Sequence, residues 1–344
     1  MAGVETRTFV PEQAAAWDAF VRAHEHGTFF HLSGWKEVIE KAFGHACPYL
    51  VAIEGGEIAG VLPLVHLKSR IFGNRLVSNA FCVYGGPLAA SEEVAQALDA
   101  AAMALADRLG VDSLEYRLLR PRRDDWLRHD DRYATFRKPI SDDDEQNLLA
   151  IPRKQRAMVR KAIRLGLTSD APVPPDDVHA VYAESVRNLG TPVFPRRYFR
   201  LLAQVFGKDC EGLLVHHEGS RVAAVLSFYY KDQVLPYYGG GTAAARQLAG
   251  NDFLYWEVMR RAAARGCRMF DFGRSKVGTG AFNFKKYWGF EPQPLCYEYR
   301  LRPGQTLNEV SPNNPKYGLA IAVWRRLPLW VTNGLGPVIA RNLG

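Results

Sequence analysis

Two weak copies of one pattern run through the chain, and this repetition limits its fold more than any other feature. Leu50-Val51-Ala52-Ile53-Glu54-Gly55-Gly56-Glu57-Ile58-Ala59-Gly60-Val61-Leu62 is echoed by Leu214-Val215-His216-His217-Glu218-Gly219-Ser220-Arg221-Val222-Ala223-Ala224-Val225-Leu226. Tyr84-Gly85-Gly86 is echoed by Tyr238-Gly239-Gly240, and the run from Leu109 to Tyr116 by the run from Arg265 to Phe272. The echoes keep their order at an offset of roughly 160 residues, a domain's length and far longer than a solenoid repeat. A chain of 344 residues accommodates two such domains with separate cores. We expect a first domain over 1–150, a second over 151–303 and a tail over 304–344. What one copy has and the other lacks is then a candidate for function.

Each copy reads as strand, turn, strand, strand, helix, strand. In the first, Ser33 caps a helix with apolar stripe Trp35, Val38, Ile39, Ala42 and Phe43. Strands Tyr49 to Glu54 and Glu57 to His66 flank a Gly55-Gly56 turn, because glycine accepts the positive φ of a primed hairpin. The alanine-rich run Glu92 to Leu109 is a helix and Val111 to Leu118 a strand. In the second copy, Gly212 to His217 and Arg221 to Tyr230 flank Gly219-Ser220. Gln233 to Tyr238 is the next strand, Asn251 to Arg265 a helix, Cys267 to Phe272 a strand and Phe290 to Leu301 a final strand. Hairpins followed by a helix and a further strand point to an α/β (α+β) fold, each domain a mixed, mostly antiparallel sheet flanked by helices. Pro172, Pro174 and Pro175 interrupt the link between the copies.

Hydrophobic residues make up 47% and charged residues 23%, which excludes a disordered chain. The formal net charge of +8 favours an anionic partner such as phosphate, nucleic acid or an acidic membrane. Five scattered cysteines without Cys-x-x-Cys spacing point to reduced thiols and against a disulfide frame or structural zinc. The first residues lack an apolar signal core, so the expected location is the cytoplasm. No metal site is expected.

The segment Phe270-Asp271-Phe272-Gly273-Arg274-Ser275-Lys276-Val277-Gly278-Thr279-Gly280 runs on through Phe284-Lys285-Lys286-Tyr287-Trp288-Gly289-Phe290. A strand gives way to a glycine-rich polar loop and then to an aromatic segment with two lysines. Such glycines let backbone N–H groups approach anionic oxygens. Copy one has only Arg117-Leu118-Leu119-Arg120-Pro121 at the equivalent place, so the chemistry is expected in copy two. The loop is neither a Gly-x-x-x-x-Gly-Lys-Ser/Thr phosphate loop nor a Gly-x-Ser-x-Gly elbow. A second segment, Ile151 to Arg164, carries six basic side chains and no acid; as a helix it aligns Arg153, Arg156, Arg160 and Arg164 on one face. Third, Pro192 and Pro195 fix a loop before Arg196 and Arg197. Fourth, Tyr238, Gly239 and Gly240 lead towards the start of the Asn251 helix. The stretch from Tyr317 to Gly344 mixes tryptophan, arginine and aliphatic residues, either as an interfacial helix on an anionic membrane or as a helix docked on the protein's own core.

Three of these motifs together resemble the FemAB family of tandem GNAT-like acyl- and aminoacyltransferases. They are Pro152-x-Lys154-x-Arg156-x-x-x-Arg160-Lys161-Ala162, the glycine-rich run before Asn251, and Asp271-Phe272-Gly273-Arg274-Ser275 through Phe284-Lys285-x-x-Trp288-Gly289-Phe290. The resemblance extends to the subgroup associated with exosortase and PEP-CTERM exopolysaccharide systems, including Asn314-Pro315-Lys316-Tyr317 and the tail to Gly344. It implies a degenerate first domain and a catalytic second domain. It also implies transfer of an acyl or aminoacyl group to a peptidoglycan or exopolysaccharide precursor that is phosphate-bearing or lipid-linked. The co-substrate would be acyl-CoA or aminoacyl-tRNA, with no permanently bound cofactor, and tRNA would be a partner; the C-terminal segment adds the inner membrane surface as an expected peripheral contact. By implication Lys285 stabilises developing negative charge, Asp271 is a base or orienter, and Arg274 completes the catalytic set. Arg153, Lys154, Arg156, Arg160, Arg196, Arg197, Tyr238, Gly239, Gly240, Lys286 and Trp288 would bind substrate. Arg246-Gln247-Leu248-Ala249-Gly250-Asn251 departs from the Arg/Gln-x-x-Gly-x-Gly/Ala pattern of relatives that use acyl-CoA. The alternative is a non-catalytic RNA-binding or membrane-peripheral scaffold of an exopolysaccharide system.

Overall fold

The computed structural model describes residues 3–69, 72–307 and 318–344. In chain order the elements begin with β1 (Glu5–Thr8), α1 (Ala14–Ala23), α2 (Gly34–Phe43), β2 (Leu50–Glu54), β3 (Glu57–Leu62), β4 (Leu64–Ser69), β5 (Gly73–Ser78), β6 (Leu88–Ala89), α3 (Glu92–Leu109), β7 (Ser113–Leu118) and β8 (Leu127–His129). Next come β9 (Tyr133–Pro139), α4 (Asp144–Leu149), α5 (Arg153–Arg164), β10 (Thr168–Val173), α6 (Pro175–Leu189), α7 (Arg196–Phe206), β11 (Cys210–His217), β12 (Ser220–Tyr230) and β13 (Gln233–Gly241). The remainder is α8 (Ala245–Leu248), α9 (Gly250–Ala264), β14 (Met269–Asp271), β15 (Ser275–Lys276), α10 (Gly280–Tyr287), β16 (Pro292–Pro294), β17 (Cys296–Leu301), α11 (Gly318–Trp324) and α12 (Leu329–Ala340).

These elements form two compact units. The first unit runs to Arg132 and also owns β17 and residues 341–344; the second owns 133–293 and the C-terminal helices up to Ala340. The boundary thus falls before β9, not at 150. The physical reason is pairing: β9 hydrogen-bonds β14 and β15, whereas β17 pairs β7 and β8. The expected final strand of copy two is therefore split, and its longer part, β17, completes the sheet of the first unit.

In the first unit β1-β2-β3-β6 form one sheet and β4-β5-β7-β17-β8 another. The expected return strand Glu57 to His66 breaks at Pro63, which has no N–H for a ladder, and its halves enter different sheets. Gly55 and Gly56 do take positive φ, 59° and 88°. α2 spans the expected stripe, but the Ser33 side chain makes no cap; the Ser33 N–H donates instead to Asp18 Oδ1 at 2.7 Å. The core is centred on Leu64, Leu76, Leu98, Leu114 and Tyr116.

The second unit has one sheet in the order β10-β11-β12-β13-β14-β9-β15, with β16 on β9. β13 extends to Gly241, three residues beyond the expected Tyr238. It pairs with β14 over only Gln233 and Val234, while its pairing with β12 continues to Gly241. The core includes Phe136, Val225, Leu254, Phe270 and Trp288. Gly240 lies where α6 crosses β13: a Cβ there would stand 2.4 Å from Ser185 Cβ. Gly240→Ala is expected to lower unfolding free energy by about 1–3 kcal/mol in a denaturant titration, since overpacking forces helix and strand apart. An unchanged midpoint would contradict the close approach.

Candidate active site

The polar segment after β14 is a β-bulge held from two sides. Asp271 stands opposite Arg137, and the antiparallel ladder resumes with Ser275 opposite Ala134. Phe272, Gly273 and Arg274 thus face only Phe136 and Thr135, with one residue left over. Gly273 absorbs the distortion at φ 67°, a region glycine enters without penalty. The Phe272 N–H still donates to the Phe136 carbonyl at 2.8 Å.

Asp271 lies beneath the bulge, 1% exposed. Its Oδ1 accepts from the Gly273 N–H at 2.8 Å and from Thr135 Oγ1 at 3.3 Å. Its Oδ2 is 3.5 Å from Arg137 Nε. Asp271 therefore orients the loop, and its burial does not suit a general base for a substrate. Arg274 places its guanidinium over the Tyr133 ring, 4.9 Å from the centroid. Ser275 Oγ is buried and has no hydrogen-bond partner among the described residues.

Lys285 closes the bulge from α10, a helix started by Thr279, whose Oγ1 accepts from the Phe282 N–H at 3.3 Å. Lys285 Nζ donates to the carbonyls of Phe272, Gly273 and Arg274 at 2.7, 2.9 and 3.2 Å. An ammonium has three N–H donors, so all are engaged with the main chain. The rings of Phe136 and Phe272 lie 5.5 and 5.7 Å away. Burial lowers the Lys285 pKa to about 7, with the nearby Arg274 charge lowering it further and Asp271 opposing. Lys285 thus carries its charge only up to neutral pH.

The other expected site residues divide into two groups. Arg153, Lys154 and Arg160 are exposed on α5, which spans the expected range and buries Val159 and Ala162. Arg156 is held by the Leu149 carbonyl at 3.0 Å, and Arg160 lies 3.9 Å from Glu145. The α5 start adjoins the end of α10: a Cβ on Gly289 would lie 3.0 Å from Pro152 Cδ. Lys286 is exposed. Arg196 and Arg197 are exposed in the first turn of α7. In the second group Tyr238 and Trp288 are buried, and Gly239 and Gly240 are half-buried in a strand. Tyr238 is buried and its hydroxyl meets that of Tyr198 at 2.8 Å, amid Tyr182, Phe194 and Phe199. Gly239 and Gly240 lie within β13, not in a turn, and close packing accounts for them: a Cβ on Gly239 would lie 3.1 Å from Tyr255 Oη. Trp288 is fully buried, its Nε1 donating to Asp252 Oδ1 at 2.9 Å. For Tyr238 and Trp288 burial replaces the expected ligand contact, since aromatic residues serve tight packing as readily as binding.

Sequence reasoning missed Thr135 and Arg137, both on β9. The only local signal was the run Tyr133-Ala134-Thr135-Phe136, rich in strand formers. It also missed Asp252, in the first turn of α9, whose pKa burial raises to about 6. A folded pKa above the unfolded value favours the neutral acid. Stability therefore falls as pH rises from about 4 to 6, and the penalty persists above that. Asp252→Asn keeps the acceptor for Trp288 and is expected to raise stability at pH 7.5 by on the order of 2 kcal/mol, with little effect at pH 4. Thermal melts at the two pH values check this; equal shifts at both would refute it.

Residues 153–286 match the family described as acetyltransferase (GNAT) domain. No curated protein gives a significant sequence match. Among solved structures, FemX is similar with a TM-score of 0.65 at 16% identity, covering 92% of this chain and 100% of its own. A tandem GNAT protein from the clavulanic acid biosynthesis pathway has a TM-score of 0.53 at 17% identity, covering 87% of this chain and 98% of its own. The C-terminal domain of a putative lysylphosphatidylglycerol synthetase from Agrobacterium fabrum has a TM-score of 0.54 at 12% identity, covering 84% and 91%. By fold the chain is a tandem GNAT-like protein, and the segment matching the acetyltransferase domain lies in its second unit.

Proposed function

We propose that this protein is an N-acyltransferase of the GNAT type whose chemistry resides in the second unit. The observation that carries this reading is the acetyltransferase-domain match over 153–286, which ends on the residues that clamp the bulge after β14. An acceptor amine would attack the carbonyl of an activated acyl group, expel the donor's leaving group and lose a proton. In this reading Asp271, Thr135 and Arg137 fix the bulge from below, and Lys285 fixes it from above. The Ser275 hydroxyl and Arg137 Nε are buried beside the bulge without hydrogen-bond partners among the described residues. Lys285 supplies positive charge near the reacting carbonyl, where a preorganised cation stabilises a developing oxyanion. Arg153, Lys154 and Lys286, all exposed, would take phosphates of the donor or acceptor.

The donor is acyl-CoA or aminoacyl-tRNA. The acceptor is a cell-envelope precursor, peptidoglycan or exopolysaccharide; the FemAB resemblance supports this, and the neighbour described as a putative lysylphosphatidylglycerol synthetase supports an envelope substrate more broadly. The Asn314-Pro315-Lys316-Tyr317 motif of the exosortase-associated subgroup lies outside the described residues. The test is turnover of acetyl-CoA, longer acyl-CoAs and aminoacyl-tRNA with amine-bearing envelope precursors, with products read by mass. Acylated product from wild type and a large loss in Lys285→Ala support the assignment. No product with any donor, or equal product from both proteins, would sink it.

A further inference from the structure

No helix among the described residues is long and apolar enough to cross a membrane. The C-terminal helices nevertheless leave five large apolar side chains, Leu319, Val323, Trp330, Leu335 and Val338, facing water. α12 turns small residues towards the protein: Thr332, Gly336 and Ala340, spaced at i, i+4 and i+8, are buried. Gly336 lies so close to Val193 that a Cβ there would stand 2.9 Å from it. The opposite stripe carries Trp330, Leu335 and Val338, which are 78%, 52% and 64% exposed. α11 has no buried residue but also exposes large apolar side chains. Ile321 is set against Gly190, while Leu319 and Val323 are 79% and 52% exposed. Leu319 and Trp330 are the most exposed large apolar side chains among the described residues. A helix stabilised only by its own protein would reverse this, with the large residues inside. An apolar stripe of this kind marks an interaction surface rather than scattered exposure.

The charges indicate what covers the stripe. From Gly318 to Ala340 the sequence has Arg325 and Arg326 and no acidic residue. Arg325 is tied to the Leu189 carbonyl at 3.2 Å, and Arg326 is exposed. Tryptophan and leucine flanked by arginine match the boundary of a bilayer with anionic headgroups: the apolar side chains enter the acyl boundary and the guanidinium stays at the phosphates. We propose that α11 and α12 form a docking surface for an anionic lipid bilayer, lying in its interface. On this proposal the segment has one face on the protein and the other on lipid. The proposal does not depend on the transferase reading, because binding needs no turnover.

The full-length protein would be sedimented with vesicles of phosphatidylcholine alone and of phosphatidylcholine with phosphatidylglycerol. Wild type is expected to bind the anionic vesicles and to be released as salt rises. Trp330→Glu/Leu335→Glu/Val338→Glu changes only exposed side chains, so its thermal midpoint should stay near that of wild type while its vesicle affinity falls at least about tenfold. Arg326→Ala should weaken binding about fivefold. Three results would overturn the proposal: wild type left in the supernatant with both vesicles, the triple variant binding as wild type does, or a wild-type dimer without vesicle binding that the triple variant converts to monomer. The last would make the stripe a self-association face.

Discussion

Lys285→Ala is expected to reduce kcat/KM for acyl transfer by about 10²–10³-fold, the scale of losing one preorganised electrostatic group, here a charge acting through space because its three N–H groups are held by the main chain. Two effects combine. The charge disappears, and the carbonyls of Phe272, Gly273 and Arg274 lose the ammonium that gathers them. Each carbonyl left buried without a donor costs about 1–3 kcal/mol, so the thermal midpoint should fall as well. A pH series separates charge from shape. With the Lys285 pKa near 7, the charged clamp is present below neutrality, and activity should decline as pH rises through 7. Lys285→Arg, always charged, should move that decline to higher pH even if its overall rate is lower. Stability should run the other way. The unfolded lysine holds its proton to about pH 10.4, so between pH 7 and 10 the unfolded state binds more protons and folding becomes more favourable as pH rises. Activity and stability moving in the same direction across that window would contradict the assignment.

Trp288→Ala is the other large effect, and it acts on folding. The side chain is fully buried against Tyr255, Phe272 and Phe284. Removing it should cost about 3–5 kcal/mol from the cavity and the lost transfer energy. It also strands Asp252, whose carboxyl would lose the indole N–H. Trp288→Ala/Asp252→Asn should therefore recover part of the loss, and the recovery should be larger at pH 7.5 than at pH 4. A ligand-contact role would give a different pattern: near-normal stability with a raised KM. Chemical denaturation and steady-state kinetics on the same samples distinguish the two.

What the sequence reveals here depends on distance along the chain. The Gly55-Gly56 hairpin, the helix Glu92–Leu109 and the basic helix Arg153–Arg164 are legible because periodicity and turn chemistry are local signals. The bulge after Asp271 is half legible: its glycine and lysine stand out in the sequence. The contribution of β9 does not, because Thr135 and Arg137 reach Asp271 only through a pairing that spans more than 130 residues. Burial also cannot be read from residue type. Tyr238 and Trp288 have the composition of a binding site and the position of a core, and the sequence pattern is the same for both.

The place of β17 between β7 and β8 bears on how the chain is made. During synthesis from the N-terminus, the first unit emerges with a gap in the middle of its five-stranded sheet. β8 has no neighbour until Cys296–Leu301 leaves the ribosome, by which time the whole sheet of the second unit is already exposed. The first unit can complete its sheet only after the whole sheet of the second has been made, so the N-terminal unit cannot be finished first, and no single cut frees two intact units.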